Sequence, residues 1–119
     1  AVLGLAVVEE MAAEMHGTQA RLPFAVEAIG FSEEEGVRFA KPFLGSLALI
    51  GELDAATLAR TDRSGVSVEQ AIRTFGLDPA ELPLAVVDDS AFGYLEFHIE
   101  QGPVLEHQGV GLGVVEAIA

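Results

Sequence analysis

Two short stretches of this 119-residue chain carry side chains whose types and spacing could do chemistry. The first is Gly30-Phe31-Ser32-Glu33-Glu34-Glu35-Gly36-Val37-Arg38-Phe39, three consecutive carboxylates stopped by a glycine and preceded by an apolar run. An acid run is ordinarily a solvated turn, and that reading stays open. This one stands where a buried strand would end, the place where open α/β sheets put ligands and chemistry. The glycine lets the backbone turn sharply there. Two adjacent carboxylates can divide the labour: one holds a metal while its neighbour takes a proton from the metal's water. The second stretch is Gly93-Tyr94-Leu95-Glu96-Phe97-His98-Ile99-Glu100-Gln101-Gly102-Pro103. A period of two puts Leu95, Phe97 and Ile99 on one face and Tyr94, Glu96, His98 and Glu100 on the other. His98 then shares a face with acids able to orient it or raise its basicity. A hydrogen-bonded sheet histidine is the alternative.

The rest of the chain narrows the chemistry. It has no cysteine, which excludes disulfides and thiolate metal sites, so a metal here must be held by His, Asp and Glu. Six Lys plus Arg against 19 Asp plus Glu leave a net charge of −13, which repels phosphate backbones and anionic membranes and argues against nucleic acid or a membrane as partner. No apolar run approaches the roughly 20 residues of a membrane span without a charge or a turn residue, and a soluble, cytoplasmic protein is expected. Ser46 lacks the Gly-x-Ser-x-Gly pattern of a nucleophile elbow and reads as part of a helix cap. His16, in the last turn of a helix where a cation suits the dipole, and His107, on a helix surface, read as structural. Gly109-Val110-Gly111-Leu112-Gly113 lacks the spacing of a dinucleotide loop, so no nucleotide site is expected.

The elements that must position these residues alternate between helical and extended patterns, which signals an α/β fold. Ala1 to His16 spaces Leu3, Val7, Met11 and Met15 as one face of an amphipathic helix ending at Gly17. Phe24 to Phe31 is nearly continuous in apolar residues, as a parallel strand covered on both faces would be. Leu44 to Ile50 is a short apolar segment, and Leu53-Asp54 starts a short helix to about Arg60. Ser67-Val68-Glu69-Gln70 is a capping box for a helix whose face is Val68, Ala71, Ile72 and Phe75 and whose end is Gly76. Asp78-Pro79-Ala80-Glu81 repeats the start signal, with Pro at the first helical position. Leu84 to Phe92 reads as a loop, Pro103 to Gln108 as a short helix closed by Gly109, and Val110 to Ala119 as a further strand. Half the residues (50%) are hydrophobic and the mean hydropathy is +0.41, more than a domain this small needs, which points to surface covered by further chain. With Ala1 first and no capping residue ahead of the helix, the N-terminus is expected to be a cut end.

Taken together, Phe31-Ser32-Glu33-Glu34-Glu35-Gly36-Val37-Arg38-Phe39, Gly45-Ser46, the run Tyr94 to Glu106 and Gly113-Val114-Val115 resemble the amidohydrolase family that contains allantoate amidohydrolase, N-carbamoyl-L-amino-acid hydrolase and β-alanine synthase, relatives of the zinc exopeptidases. The resemblance covers essentially the whole chain, in order. It implies part of a three-layer, zinc-exopeptidase-like α/β catalytic domain with a mostly parallel sheet. It further implies a two-metal site and a smaller inserted lid domain that makes a homodimer. Carried over residue by residue, it makes Glu34 the general base that activates metal-bound water, Glu35 a ligand of one metal, His98 a ligand of the other and Gln101 a substrate contact. Glu33 stands where the family often has Asp or another small polar residue and receives no catalytic role. The implied cofactor is two divalent metal ions, zinc first, with manganese, cobalt or nickel as alternatives. For Glu35 and His98 to serve one site, the strands ending at Phe31 and Ile99 must lie parallel in one sheet with their carboxyl ends at one edge.

There are departures. The family commonly continues Gly-Ser-Arg where this chain has Gly45-Ser46-Leu47. By the same resemblance, the first metal-binding histidine and the bridging aspartate would precede Ala1, and the lid domain and the last metal-binding histidine would follow Ala119. Residues 1–119 are thus expected to be a middle fragment of the catalytic domain, inactive by itself. The expected activity of the whole is metal-dependent hydrolysis of linear ureido or N-carbamoyl amides. A dipeptidase or aminoacylase relative and a metal-free, non-catalytic remnant are the alternatives.

Overall fold

Local capping chemistry decides where most of the helices of this chain begin and end. The computed structural model describes residues 2–16, 18 and 21–116, the first two by backbone alone. Its helices are α1 (Val2–Met15), α2 (Leu44–Leu49), α3 (Ala55–Leu58), α4 (Val68–Phe75), a 3₁₀ helix (Pro79–Ala85) and α5 (Val104–Gln108). The chain divides into two compact units, Leu22–Tyr94 and a second made of Ala1–Arg21 with Leu95–Ala119.

In the first unit, Asp54 caps α3 by accepting from the Thr57 N–H at 2.7 Å. Ser67 and Gln70 form the expected capping box on α4, each side chain accepting from the other's backbone N–H at 3.0 and 2.9 Å. Such caps stabilise a helix by about 1 kcal/mol each. Gly76 closes α4 in the left-handed conformation, φ +98°. The start signal at Asp78-Pro79 yields a 3₁₀ helix rather than an α-helix; Pro83 lies inside it, and in an α-helix its ring would clash with the carbonyl four residues back.

Among the described residues Phe39, Leu44 and Val68 form the buried apolar core cluster, with Leu53, Leu58, Ala71 and Ile72 packed against them. Three of the four residues of the expected α4 face are borne out. Val68 is 4% exposed and Ala71 and Ile72 pack against the core, but Phe75, the last residue of α4, is 83% exposed. Arg60 ties this core to the backbone of the acidic stretch, donating to the Phe39 and Ala40 carbonyls at 3.2 and 3.0 Å.

Beside it, Asp62 organises the turn before α4. Its Oδ1 accepts from the N–H groups of Ser64 and Val66, at 2.8 and 3.0 Å, and its Oδ2 from Arg38 Nε at 2.8 Å. The Arg38 guanidinium first, and then these N–H groups, hold the Asp62 carboxyl below the ordinary carboxylate value. A depressed folded-state value means the contribution is present above the unfolded value and lost as pH falls through the folded one. The loss therefore lies below pH 3.8. A carboxyl-carbon NMR titration of Asp62 is expected to give a midpoint below 3.8 that moves up in Arg38→Ala; an unmoved midpoint would show that Arg38 is not the cause.

The stretches expected as strands form no ladders among the described residues. Among the described residues there is no β-strand, and the one bridge is the isolated pair Thr61 and Ser67. Phe24 packs edge-on against Phe92 with ring centres 5.0 Å apart, yet Val26, Ile29, Leu95 and Ile99 are exposed and Val114 is 94% exposed. In the second unit α5 ends at Gly109, φ +64°, as expected, and Gly113 approaches Leu105 closely. The expected helix limits Ala1 and Gly17 and the strand end at 117–119 lie outside the described residues. Among the described residues no helix is long and apolar enough to cross a membrane.

Candidate functional site

The acidic turn is held by hydrogen bonds from its own backbone and from the start of α2. Glu33 adopts φ +54°, and its Oε1 accepts from the backbone N–H groups of Arg38 and of Phe39. This carboxylate therefore shapes the turn, in agreement with its receiving no catalytic role. Gly36 is required twice over: its φ is +68°, and a Cβ there would stand 2.8 Å from the Pro42 nitrogen and 2.9 Å from the Lys41 carbonyl carbon.

Helix α2 rests on the same turn. The Phe43 N–H donates to the Glu34 carbonyl and the Gly45 N–H to the Ser32 carbonyl, both at 3.1 Å. A Cβ on Gly45 would stand 2.8 Å from the Ser32 nitrogen, so this approach is open only to glycine. The reading of Ser46 as a cap is corrected here. The residue capping α2 is Phe43, with no side-chain cap, and the Ser46 hydroxyl lies 3.3 Å from Glu34 Oε2 and 3.2 Å from the Phe43 carbonyl. The residue missed is thus the one that touches Glu34. The signals for it were Gly45, whose missing side chain admits the helix to the turn, and the place of Gly45-Ser46 in the resemblance. Leu47, the point of departure from Gly-Ser-Arg, is half-buried and adds no charge.

The three carboxylates consequently differ in kind. Glu33 is engaged by backbone, Glu34 is half-buried against Ser46, and Glu35 is exposed, its carboxylate hydrogen-bonded to no described residue.

His98 and Gln101 stand in the second unit. His98 Nδ1 lies 2.6 Å from the Ile99 carbonyl oxygen. A carbonyl only accepts, so Nδ1 carries the hydrogen, and in the neutral ring the lone pair is at Nε2, the arrangement of a metal-ligating imidazole. Glu100 does not orient this ring as expected. Its carboxylate accepts from the N–H groups of Val104 at 3.0 Å and Leu105 at 3.1 Å, satisfying donors left open by the first turn of α5. Gln101 is exposed, with φ +57°, a left-handed conformation of the kind that clusters at functional sites.

The donor types suit a divalent metal: a carboxylate without a partner among the described residues and an imidazole with Nε2 available. Their number does not suffice, since among the described residues no group of three or more His, Asp or Glu could hold an ion. Any metal centre must draw on residues beyond these.

No protein-family model matches the chain. Among curated proteins it is 46% identical over 109 residues to allantoate deiminase of Arabidopsis thaliana, covering 89% of this chain and 21% of that protein. It is 39% identical over 117 residues to N-carbamoyl-L-amino acid amidohydrolase of Geobacillus stearothermophilus, covering 98% of this chain and 28% of that protein. It is also 39% identical over 102 residues to ureidoglycolate hydrolase of Arabidopsis thaliana. The chain spans about a fifth to a quarter of the length of these relatives. The resemblance drawn from Phe31 to Phe39, Gly45-Ser46, Tyr94 to Glu106 and Gly113 to Val115 is borne out: the chain belongs to the family of the allantoate deiminases and N-carbamoyl-L-amino-acid amidohydrolases, matching a part of the length of these relatives.

Proposed function

We propose that the full-length protein containing this chain hydrolyses the C–N bond of a linear ureido or N-carbamoyl amide. The observation that carries the reading is the unequal state of Glu34 and Glu35: one half-buried and hydrogen-bonded by Ser46, its neighbour exposed, with no hydrogen bond to its carboxylate among the described residues. The substrate class is taken from the relatives' names.

In this reading Glu34 takes the proton of the attacking water at Oε1, the oxygen Ser46 does not hold, and returns it to the departing nitrogen. Glu35 would supply a donor to one divalent ion and His98 Nε2 a donor to a second, zinc first, with the remaining donors outside this chain. When bound, such ions supply Lewis-acid polarisation of the scissile carbonyl. Gln101 would contact the substrate.

The exposed apolar runs at 24–31, 94–99 and 110–116 would pair as strands of a mostly parallel sheet in the full-length protein. Covering them would stabilise it by about 25 cal/mol for each Å² removed from water. Homodimerisation through a lid domain, a cytoplasmic location and the absence of nucleic-acid and membrane partners belong to the same proposal. So does the inactivity of residues 1–119 alone.

Assay of the full-length protein with allantoate, N-carbamoyl-L-amino acids and dipeptides, before and after chelation and metal readdition, tests it. Turnover of a ureido or N-carbamoyl compound, lost on chelation and restored by metal, is expected. Turnover of dipeptides alone would make it a peptidase relative, and no turnover with any of them would leave a non-catalytic module.

A further inference from the structure

We propose that Ser46 is the positioning residue of Glu34, holding Oε2 so that Oε1 is the atom that takes the proton; the inference rests on reading Glu34 as the base. The Ser46 hydroxyl has one hydrogen and two acceptors in reach, Glu34 Oε2 at 3.3 Å and the Phe43 carbonyl at 3.2 Å. The Phe43 carbonyl already accepts the Leu47 N–H at 2.8 Å, and a carboxylate is the stronger acceptor. The hydroxyl hydrogen therefore goes to Glu34. Both ends of this link are anchored through the main chain. The Phe43 N–H binds the Glu34 carbonyl, the Gly45 N–H binds the Ser32 carbonyl, and α2 comes close enough to do both because Gly45 has no Cβ to meet the Ser32 nitrogen. The serine and the glutamate are thus set on two pieces of backbone already joined by two hydrogen bonds. A glutamate otherwise rotates freely about its side-chain bonds; fixing one oxygen sets the plane of the carboxylate and the direction of the other. Serine itself neither accepts the reaction's proton nor meets the reacting atoms.

The test compares Ser46→Thr, which keeps the hydroxyl, with Ser46→Val, which has nearly the same shape without it. Both are made in the full-length protein and assayed on whichever of allantoate and an N-carbamoyl-L-amino acid it turns over. Misplacement of a reacting group by about 1 Å can cost on the order of 10²-fold. Ser46→Val is expected to lower kcat by about 10- to 10²-fold, with KM and metal content unchanged, while Ser46→Thr stays near wild type. In a Glu34→Gln background Ser46→Val should cost nothing further, because the group it positions is gone. Equal kcat for the Thr and Val variants, or a full additional loss in the Glu34→Gln background, would overturn the inference while leaving the base reading intact. Undiminished turnover by Glu34→Gln alone would overturn the base reading and this inference with it.

Discussion

Glu34→Gln in the full-length protein is expected to lower kcat by about 10²- to 10⁴-fold, the usual contribution of a general base, with metal content as in the wild type. Glutamine keeps the shape of the side chain and can still accept from Ser46 through its amide oxygen, but it cannot take up a proton. The half-buried position of Glu34 against α2 should therefore survive the change while the chemical step does not. Glu35→Gln and His98→Ala should behave differently. Glu35 is exposed, and His98 offers Nε2 because Nδ1 is committed to the Ile99 carbonyl; each variant removes a donor, so the loss should be in metal content, with activity partly recovered at high added metal. Kinetics and elemental analysis on the same preparations separate the roles. If Glu34→Gln lost the metal and Glu35→Gln retained it, the base and the ligand would have to be exchanged. If all three variants kept both metal and turnover, the acidic turn would be a solvated turn after all.

What was legible in the sequence was whatever is decided within a few residues. The Ser67–Gln70 box, the Asp54 cap and the glycine stops at Gly76 and Gly109 are contacts between near neighbours, and they stand where the pattern put them. Glu33 was set aside because the family's pattern varies there, and its carboxylate is occupied with the turn's own N–H groups. The role of Ser46 was not legible, since it depends on two segments meeting and the only local trace of that meeting is a glycine. Glu100 misled for a related reason. Alternation along a strand placed it beside His98, but the open N–H groups of α5, four and five residues on, are the nearer claim on a carboxylate. Phe75 followed the helical period, yet at the last residue of α4 it stays exposed. The sheet is the extreme case: strand pairing is non-local, and the runs at 24–31 and 94–99 carry the composition of strands without carrying their partners.

The largest stability effect is expected at Gly36, and a series of three glycines separates its causes. Gly65 has φ +80° with nothing within 4 Å of a would-be Cβ, so Gly65→Ala reports the left-handed conformation alone, about 1–2 kcal/mol. Gly45 has no positive φ but a Cβ there would meet backbone of Phe31 and Ser32. Gly45→Ala thus reports overpacking, about 1–3 kcal/mol, offset by the roughly 1 kcal/mol that alanine gains over glycine within a helix. Gly36 combines both costs. Its φ is +68°, and the atoms a Cβ would meet, the Pro42 nitrogen at 2.8 Å and the Lys41 carbonyl carbon at 2.9 Å, are backbone that no rotamer change can clear. Gly36→Ala is therefore expected to destabilise by about 2–5 kcal/mol, the sum of the two terms, and to rank below both other variants in thermal unfolding of the full-length protein. Gly36 also follows Glu35 directly, so any shift that relieves the clash moves the carboxylate proposed as a ligand. Metal content should fall in Gly36→Ala and stay normal in Gly65→Ala. Equal melting temperatures for these two variants would mean that the chain at Lys41–Pro42 does not press on Gly36 in the folded protein, and the packing that supports the acidic turn would have to be redrawn.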